Sequence, residues 1–361
     1  MTFLYSTEQE EFQHTLRKFF SEILTSDYLR NRMESSIGTD DELWDSLSEL
    51  GLFEYFCEAN DDGGSFHDLG LIAFEVGRSL LPEPLIDTIF ANCFVLHRWL
   101  DDKTFSTFNK RFPAITKTGL LNGDLFVSIA PPVDEKSFSA DKSISGDLRL
   151  VPAASDSDAT ICFNNDSCFL ISHLDLEAKD KSKTIEFLAE KTLDKINKFY
   201  SIKLKKAACI KIGDIEKIYS ALLCLKALEL AGCAERALEM TTDYVKTRKQ
   251  FGVPIGGFQA VQHRAAEMLV DVESMKQLST FAAWTEKNSP DQFEIASRAA
   301  IQHAAIKAPA VIEAAIQLHG GIGFTWEYDL HLFLRRVKMI CAMWQPSENQ
   351  QIKLLELAKK I

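Results

Sequence analysis

The chain has 361 residues, enough for two or three compact domains, and 46% of them are hydrophobic. Its formal charge is −12, from 52 acidic and 40 basic residues. This balance excludes a general nucleic-acid binder, because no excess of cations is available to neutralise phosphates, yet it leaves room for one local anion site. We find no apolar run of the roughly 18 residues that a membrane span needs and no signal-peptide pattern, so we expect a cytoplasmic protein without a membrane span.

The first 112 or so residues show helical patterning. Ser6 and Gln9 predict a capping box ahead of an apolar stripe at helical spacing. Thr39 predicts the N-terminal cap of a later helix, and another helix is predicted from about 68 to 80, where prolines stop it. This region therefore predicts an N-terminal α-helical domain, residues 1–112.

The pattern changes between about 113 and 206. Short apolar runs there alternate with turn clusters such as Asn122-Gly123-Asp124. Such alternation is typical of a small antiparallel β domain, so we assign a central β domain to residues 113–206. The predicted strands are 125–129, 148–151, 160–163 and 168–171.

Long helices are predicted for the remainder, residues 207–361. Asp214 can cap the first of them, and Gly320-Gly321 ends the third. Long antiparallel helices with short links are typical of a four-helix bundle. The predicted fold class is therefore α+β, mainly α, with an N-terminal helical domain, a small central β domain and a C-terminal four-helix bundle. The helices are predicted at about 214–247, 258–286 and 291–318, followed by two shorter ones.

The eight cysteines are scattered along the chain and form no CxxC pair. Most lie in apolar surroundings. We therefore expect reduced core cysteines and neither a metal site nor a disulfide framework.

Two neighbouring segments carry residues suited to an anionic ligand. Arg248, Gln250 and Phe251 follow the end of a long helix, and Phe258-Gln259 opens the next helix. A cation is favoured at any helix C-terminus, so Arg248 either stabilises the helix end or binds a diphosphate through both arms of its guanidinium. Gln259 likewise either caps its own helix or reaches a ligand across the turn.

A third segment runs from Gln317 through Leu318 and His319 to Gly320-Gly321. Paired glycines let a backbone lie against a flat ligand, although one glycine would suffice to stop a helix. The spacing is not GxGxxG and no strand precedes it, which argues against a Rossmann nucleotide site.

Together, the three segments resemble the acyl-CoA dehydrogenase family. Residues 248–252 resemble the family's arginine-containing turn, which binds the FAD diphosphate, and residues 258–259 resemble the flavin-contacting pair that follows. Residues 317–321 resemble the segment that contacts the FAD of a neighbouring subunit. The resemblance is strong over about 215–345 and implies cofactor contacts by Arg248, Gln250, Phe251, Phe258, Gln259, Gln317, Leu318, His319, Gly320 and Gly321.

The same resemblance implies a reaction and partners. In the family, a carboxylate removes the α proton of an acyl-CoA while a hydride leaves the β carbon for the flavin. The implied assembly is a homodimer, a homotetramer, or a heterotetramer with a second acyl-CoA dehydrogenase-like chain. An electron-transferring flavoprotein is the implied electron acceptor. Family members with compact β domains and a Gly-Phe-Thr-Trp-Glu segment resemble this chain, and some act on bulky substrates such as steroid side chains.

The expected catalytic base is missing from both of its usual positions. One position, 26 residues before Arg248, holds Leu222, and the other falls in residues 343–347, where no carboxylate stands. Glu229 lies two helical turns beyond Leu222, about 10 Å away, and is not an equivalent. The family's Thr-Glu-Pro segment is also replaced, by Ile129-Ala130-Pro131. The catalytic residue is therefore unknown.

Three functions fit these residues. The chain is an FAD-dependent acyl-CoA dehydrogenase with its base in an unusual place, or a non-catalytic, FAD-contributing subunit of a heteromeric dehydrogenase. The third alternative is a binding or scaffold protein that kept the fold and lost the flavin.

Overall fold

The computed structural model describes residues 3–36, 38–57, 63–100, 102–132, 138–140, 143–164, 167–174, 184–344 and 348–359. The chain divides into two compact units. Unit 1 contains Met1–Asn31, Phe66–Leu81 and Ser220–Ile361, and unit 2 contains Arg32–Ser65 and Pro82–Tyr219. The fold class is α+β and mainly α, as predicted. The division into domains 1–112, 113–206 and 207–361 stays a prediction.

All the helices except α8 (Lys117–Asn122), which lies in the predicted β region, occur in the two regions where the sequence predicts them. In chain order they are α1 (Thr7–Ile23), α2 (Ser26–Glu34), α3 (Asp41–Ser48), α4 (Leu52–Cys57), α5 (Phe66–Ser79), α6 (Leu85–Ile89), a π-helical segment (Phe90–Arg98), α7 (Asp102–Arg111), α8 (Lys117–Asn122), α9 (Ile215–Thr247), α10 (Gln259–Asn288), α11 (Pro290–His319), α12 (Leu330–Trp344) and α13 (Glu348–Ala358). The long helices α9, α10 and α11 begin and end within about two residues of their predicted bounds.

Side-chain caps explain where several helices begin. Ser6 and Gln9 form the predicted capping box of α1 through two reciprocal bonds of 2.8 and 3.3 Å. The predicted cap at Thr39 is wrong, because the Thr39 hydroxyl donates to Asp156 instead. Asp40 caps α3 by accepting a hydrogen bond from the backbone N–H of Leu43.

Glycine allows two helices of unit 1 to approach closely. A Cβ added to Gly77 on α5 would stand 2.0 Å from the carbonyl oxygen of Glu229 on α9. A Cβ at Gly232 on α9 would stand equally close, 2.0 Å, to the carbonyl oxygen of Phe74. The two backbones are therefore in direct contact, and α9 is buried around almost its whole circumference between 221 and 234.

Unit 2 contains a seven-stranded sheet. Its strands are β1 (Val127–Ile129), β2 (Phe138–Ala140), β3 (Ser143–Pro152), β4 (Ala159–Phe163), β5 (Cys168–Ser172), β6 (Ile185–Glu190) and β7 (Phe199–Lys211). Their order is β1-β4-β5-β7-β3-β2, with β6 also paired to β7. Pairing is antiparallel except between β1 and β4.

The four predicted strands are confirmed as β1, β3, β4 and β5, but the sequence did not predict β7. This 13-residue strand pairs with β5, β3 and β6, so it holds the sheet together. Lys206 interrupts its alternation, because that residue has a left-handed φ of 51°. The result is a β-bulge, which breaks the regular alternation of apolar and polar residues on which a strand prediction depends.

The cysteine prediction is wrong for one pair. Cys57 and Cys93, both in unit 2, are joined in a disulfide. The other six cysteines are buried and form no disulfide, as expected. No helix within the described part of the chain is long and apolar enough to cross a membrane.

Candidate functional site

A short hairpin directly follows α9 and carries the first predicted segment. Lys249–Gln250 pairs antiparallel with Val253–Pro254, and both turn residues have positive φ, 52° at Phe251 and 82° at Gly252. These angles match a type I′ turn, which normally excludes bulky side chains. Phe251 nevertheless occupies it with 92% of its surface exposed. A strained and fully exposed aromatic ring contributes nothing to the core of its own chain and suggests a binding surface.

Arg248 lies between α9 and this hairpin. Its backbone donates to Tyr244 O and accepts from Ile255 N, both at 2.8 Å, so the main chain is fixed on both sides. Its guanidinium is exposed and has neither a hydrogen bond nor an ion pair with any residue that the structure describes. In particular, it does not bond the last carbonyls of α9. A fixed backbone with a free guanidinium is suited to binding an anion.

The second segment lies beside the hairpin. Phe258 is the N-cap of α10 and makes no side-chain cap, so the interpretation of Gln259 as a helix cap is wrong. The side chain of Gln259 points to solvent, as does that of Gln250. The rings of Phe251 and Phe258 are 6.1 Å apart and nearly perpendicular. The first two segments therefore form one surface with two aromatic rings, two amides and one cation.

The third segment ends α11. Gln317, Gly320 and Gly321 are exposed and Leu318 is half-buried. Gly320 has φ 63° and ψ −139°, a backbone conformation that requires glycine. A Cβ at Gly320 or Gly321 would meet no atom within 4 Å, so the backbone there is open to an approaching ligand.

His319 does not have the place that the sequence predicts. Only 4% of its surface is exposed, so its ring cannot contact a cofactor outside the chain. The ring instead stacks on Tyr244, with centroids 4.3 Å apart, and on Tyr328 at 4.6 Å. The Tyr244 hydroxyl also donates to the His319 carbonyl at 3.3 Å.

This contact brings the predicted segments together. Tyr244 stands one turn before Arg248 on α9, and His319 directly precedes Gly320. Neither Tyr244 nor Tyr328 is among the residues that the sequence predicts for the site. The only available signal was the four-residue spacing between Tyr244 and Arg248, which places both side chains on one side of the helix.

The residues near the usual base positions offer no proton acceptor. Leu222 and Leu223 are buried. Glu229 is buried between two cations, 3.2 Å from Lys226 Nζ and 3.5 Å from Arg336 Nη1. Its carboxylate is thus fully engaged inside unit 1. Residues 345–347, the core of the second usual position, lie outside the described residues, and the adjacent Trp344 is buried.

The residues present fit a flavin dinucleotide. The free guanidinium of Arg248 suits a diphosphate, and exposed aromatic rings suit a flat ring system. The open backbone at Gly320-Gly321 permits close approach, and the free amides of Gln250, Gln259 and Gln317 suit polar ring edges. No group of acidic, histidine or cysteine side chains in the described ranges could hold a metal ion.

Known proteins show the same fold and the same C-terminal domain. The acyl-CoA dehydrogenase C-terminal domain family matches residues 224–344. The protein "Acyl-CoA dehydrogenase IpdE2" of Mycolicibacterium smegmatis is 26% identical over 97% of this chain and 98% of its own length. The Tcur3481-Tcur3483 steroid ACAD superposes with a TM-score of 0.84 at 21% identity, over 98% of each chain. The ChsE4-ChsE5 complex from Mycobacterium tuberculosis superposes with a TM-score of 0.82 at 19% identity, over the full length of this chain and of the matched chain.

The helical units and the small curled sheet therefore have the acyl-CoA dehydrogenase fold. The resemblance to the acyl-CoA dehydrogenase family that the sequence motifs predict is confirmed by the match of residues 224–344 to that family's C-terminal domain. This is a family of oxidoreductases whose members bind FAD.

Proposed function

We propose that this chain is an FAD-binding, non-catalytic subunit of a heteromeric acyl-CoA dehydrogenase. A second, related chain supplies the carboxylate that removes the α proton of the acyl-CoA thioester. The observation that carries the proposal is that the described residues at the two usual base positions offer no carboxylate. Leu222 and Leu223 are buried, and Glu229 is held between Lys226 and Arg336. Neither leucine can accept a proton, and the paired carboxylate has no access to a substrate.

The exposed segments of unit 1 supply the cofactor contacts. Arg248 binds the diphosphate of FAD, and Gly320-Gly321 lets the backbone lie against the cofactor. Gln250, Gln259 and Gln317 supply amide groups at its polar edges. When bound, FAD supplies the hydride acceptor for α,β-desaturation, and this chain's own residues hold and orient it.

Two further observations support a heteromeric assembly. Phe251, Phe324 and Trp326 are 92%, 76% and 59% exposed, and such apolar surface usually marks a binding interface. Two of the structural neighbours are named as pairs of different chains, Tcur3481-Tcur3483 and ChsE4-ChsE5. The first is called a steroid ACAD, so steroid-derived acyl-CoA thioesters are the first substrates to test. The proposed electron acceptor is an electron-transferring flavoprotein.

A second candidate keeps the activity within this chain. The relative IpdE2 is named an acyl-CoA dehydrogenase and matches along almost its whole length. In this alternative, the chain desaturates an acyl-CoA by itself, with a base outside both usual positions.

Expression of the chain alone and with a second dehydrogenase-like chain tests these alternatives. Each preparation is examined for a flavin absorption band and then for anaerobic bleaching by a panel of acyl-CoA thioesters. Bleaching only in the mixed assembly is the expected result. Bleaching by the chain alone would establish the second candidate, and the absence of flavin from both preparations would leave the flavin-free scaffold.

The variant Arg248→Ala tests the cofactor contact. Loss of charge-assisted bonds worth about 1.5–3 kcal/mol predicts FAD binding weaker by about 10- to 100-fold. Arg149→Ala is the matched control, because Arg149 is an exposed arginine of unit 2 that already pairs with Glu190 at 3.2 Å. Equal flavin content in wild type and Arg248→Ala would refute the assigned role.

A further inference from the structure

His319 occupies a buried junction between the two parts of the proposed FAD site. It is the last residue of α11, and its ring lies against Tyr244 of α9 with an interplanar angle of 22°. Tyr328 packs on the same ring at 4.6 Å and lies 6.2 Å from Tyr244. Three aromatic rings from three segments of the chain thus meet at this point, which we call the His319 stack.

Hydrogen bonds fix the orientation of the His319 ring. Its Nδ1 lies 2.7 Å from Ala315 O, and since a carbonyl only accepts, Nδ1 carries the proton. Burial lowers the pKa of His319, which favours the neutral ring. Nε2 is then an acceptor, and it is buried without a partner in the part of the chain that the structure describes. With only 4% of its surface exposed, the His319 residue is enclosed by its own chain and does not face the exposed surface of Arg248 and Gly320-Gly321.

The His319 stack connects the two stretches of backbone that carry the proposed cofactor contacts, the turn at Arg248 and the segment Gly320-Gly321. The Tyr244 carbonyl accepts the backbone N–H of Arg248 at 2.8 Å, so a shift of Tyr244 moves the start of the arginine turn. The His319 carbonyl accepts the Tyr244 hydroxyl and directly precedes the left-handed Gly320.

We propose that His319 is a positioning residue, which through Tyr244 sets the Gly320-Gly321 backbone at the correct place relative to the Arg248 guanidinium. The inference rests on the proposed function, and it takes Arg248 and Gly320-Gly321 of this chain to contact one and the same FAD, the one shared with the neighbouring subunit. FAD binds tightly only when the protein groups that contact it are already in place before it binds. Loosening the His319 stack therefore weakens binding without removing any cofactor contact.

The test compares two stacked histidines in unit 1. His67 stacks on Tyr5 with centroids 4.5 Å apart and also has a buried Nε2 without a partner, but it lies on α5. The variants His319→Leu and His67→Leu are purified as the assembly that wild type forms. FAD release on dilution is followed by flavin fluorescence, at a temperature well below both thermal midpoints.

We expect both variants to lower the thermal midpoint, but only His319→Leu to raise the Kd for FAD. Loss of one ring contact predicts a rise of about three- to tenfold. His319→Phe keeps a stacking ring and should restore most of the affinity. Tyr244→Leu removes the same stack from α9 and should give the same rise, which keeps the test valid if His319→Leu does not fold.

Coupling to Arg248 separates positioning from a general loss of stability. In an Arg248→Ala background, His319→Leu should raise the Kd for FAD by less than about twofold. The Arg248 contact is already absent there, so the position of Gly320-Gly321 relative to it no longer matters. An unchanged Kd in His319→Leu, an equal rise in His67→Leu, or full additivity with Arg248→Ala would overturn the inference alone. Absence of FAD from wild type in every assembly would overturn the proposed function together with it.

Discussion

Glu229 offers a direct test of the proposal that its carboxylate is a buried ion-pair partner and not the catalytic base. Its side chain lies between Lys226 and Arg336 at 3.2 and 3.5 Å, and Arg336 also donates to the carbonyls of Leu80 and Leu81. Arg336 is only 1% exposed. The variant Glu229→Gln keeps the shape of the side chain and removes its charge.

The expected cost follows from this burial. Removing one partner of a buried ion pair leaves an uncompensated charge and costs about 3–5 kcal/mol. The lower end applies here, since the two carbonyls still accept from Arg336 and the glutamine oxygen can still accept one bond. A loss of about 3 kcal/mol in the free energy of unfolding should lower the thermal midpoint by roughly 4 °C.

Calorimetry on the intact assembly provides the measurement, and Glu267→Gln is the control. The Arg264–Glu267 pair has a similar distance, 3.0 Å, but both side chains are about half exposed or more. Exposed pairs contribute little, so this control should shift the midpoint by less than about 2 °C. A Glu229→Gln protein that is fully stable but has lost desaturation would refute the reasoning, because it would make Glu229 the base.

Two further predictions concern stability. Gly77→Ala should destabilise by about 2 kcal/mol, since a gain of about 1 kcal/mol in helix propensity is outweighed by overpacking of about 3 kcal/mol against the Glu229 carbonyl. Gly70→Ala on the same helix meets only a leucine methyl group and an alanine Cβ and should be nearly neutral; equal urea midpoints for both would contradict this. Burial raises the pKa of Glu83 to about 7, above its ordinary value of 4.5, so folding favours the protonated form. The stability that this proton supplies is present at low pH and is lost between about pH 4.5 and 7, by up to about 3 kcal/mol. Glu83→Gln should therefore make the free energy of unfolding in urea less dependent on pH over this range.

The proposed site was largely predictable because its residues are neighbours along the chain. Arg248, Gln250 and Phe251 share one turn, and Gly320-Gly321 follows directly on α11. Helix ends and glycine turns depend on a few adjacent residues, whose types determine caps and positive φ. The same locality explains why the capping box of α1 and the bounds of the long helices were predicted correctly.

The contacts that were missed join residues distant in sequence. His319 was predicted among the cofactor contacts, and only the approach of Tyr244, 75 residues away, shows that its ring is buried inside unit 1. The Thr39 hydroxyl is likewise taken by Asp156, 117 residues away. Nothing in the local pattern at either residue indicates these partners.

The sequence by itself determined the class of fold, the long helices, four of the strands and the three segments suited to FAD. Periodicity, caps and turn residues act over about four positions, so they are legible in the chain alone. Only the tertiary structure decided that β7 unites the sheet, that Cys57 pairs with Cys93, and that Glu229 is neutralised by Arg336. Those outcomes depend on which surfaces pack together, and packing brings side chains into contact irrespective of their separation along the chain.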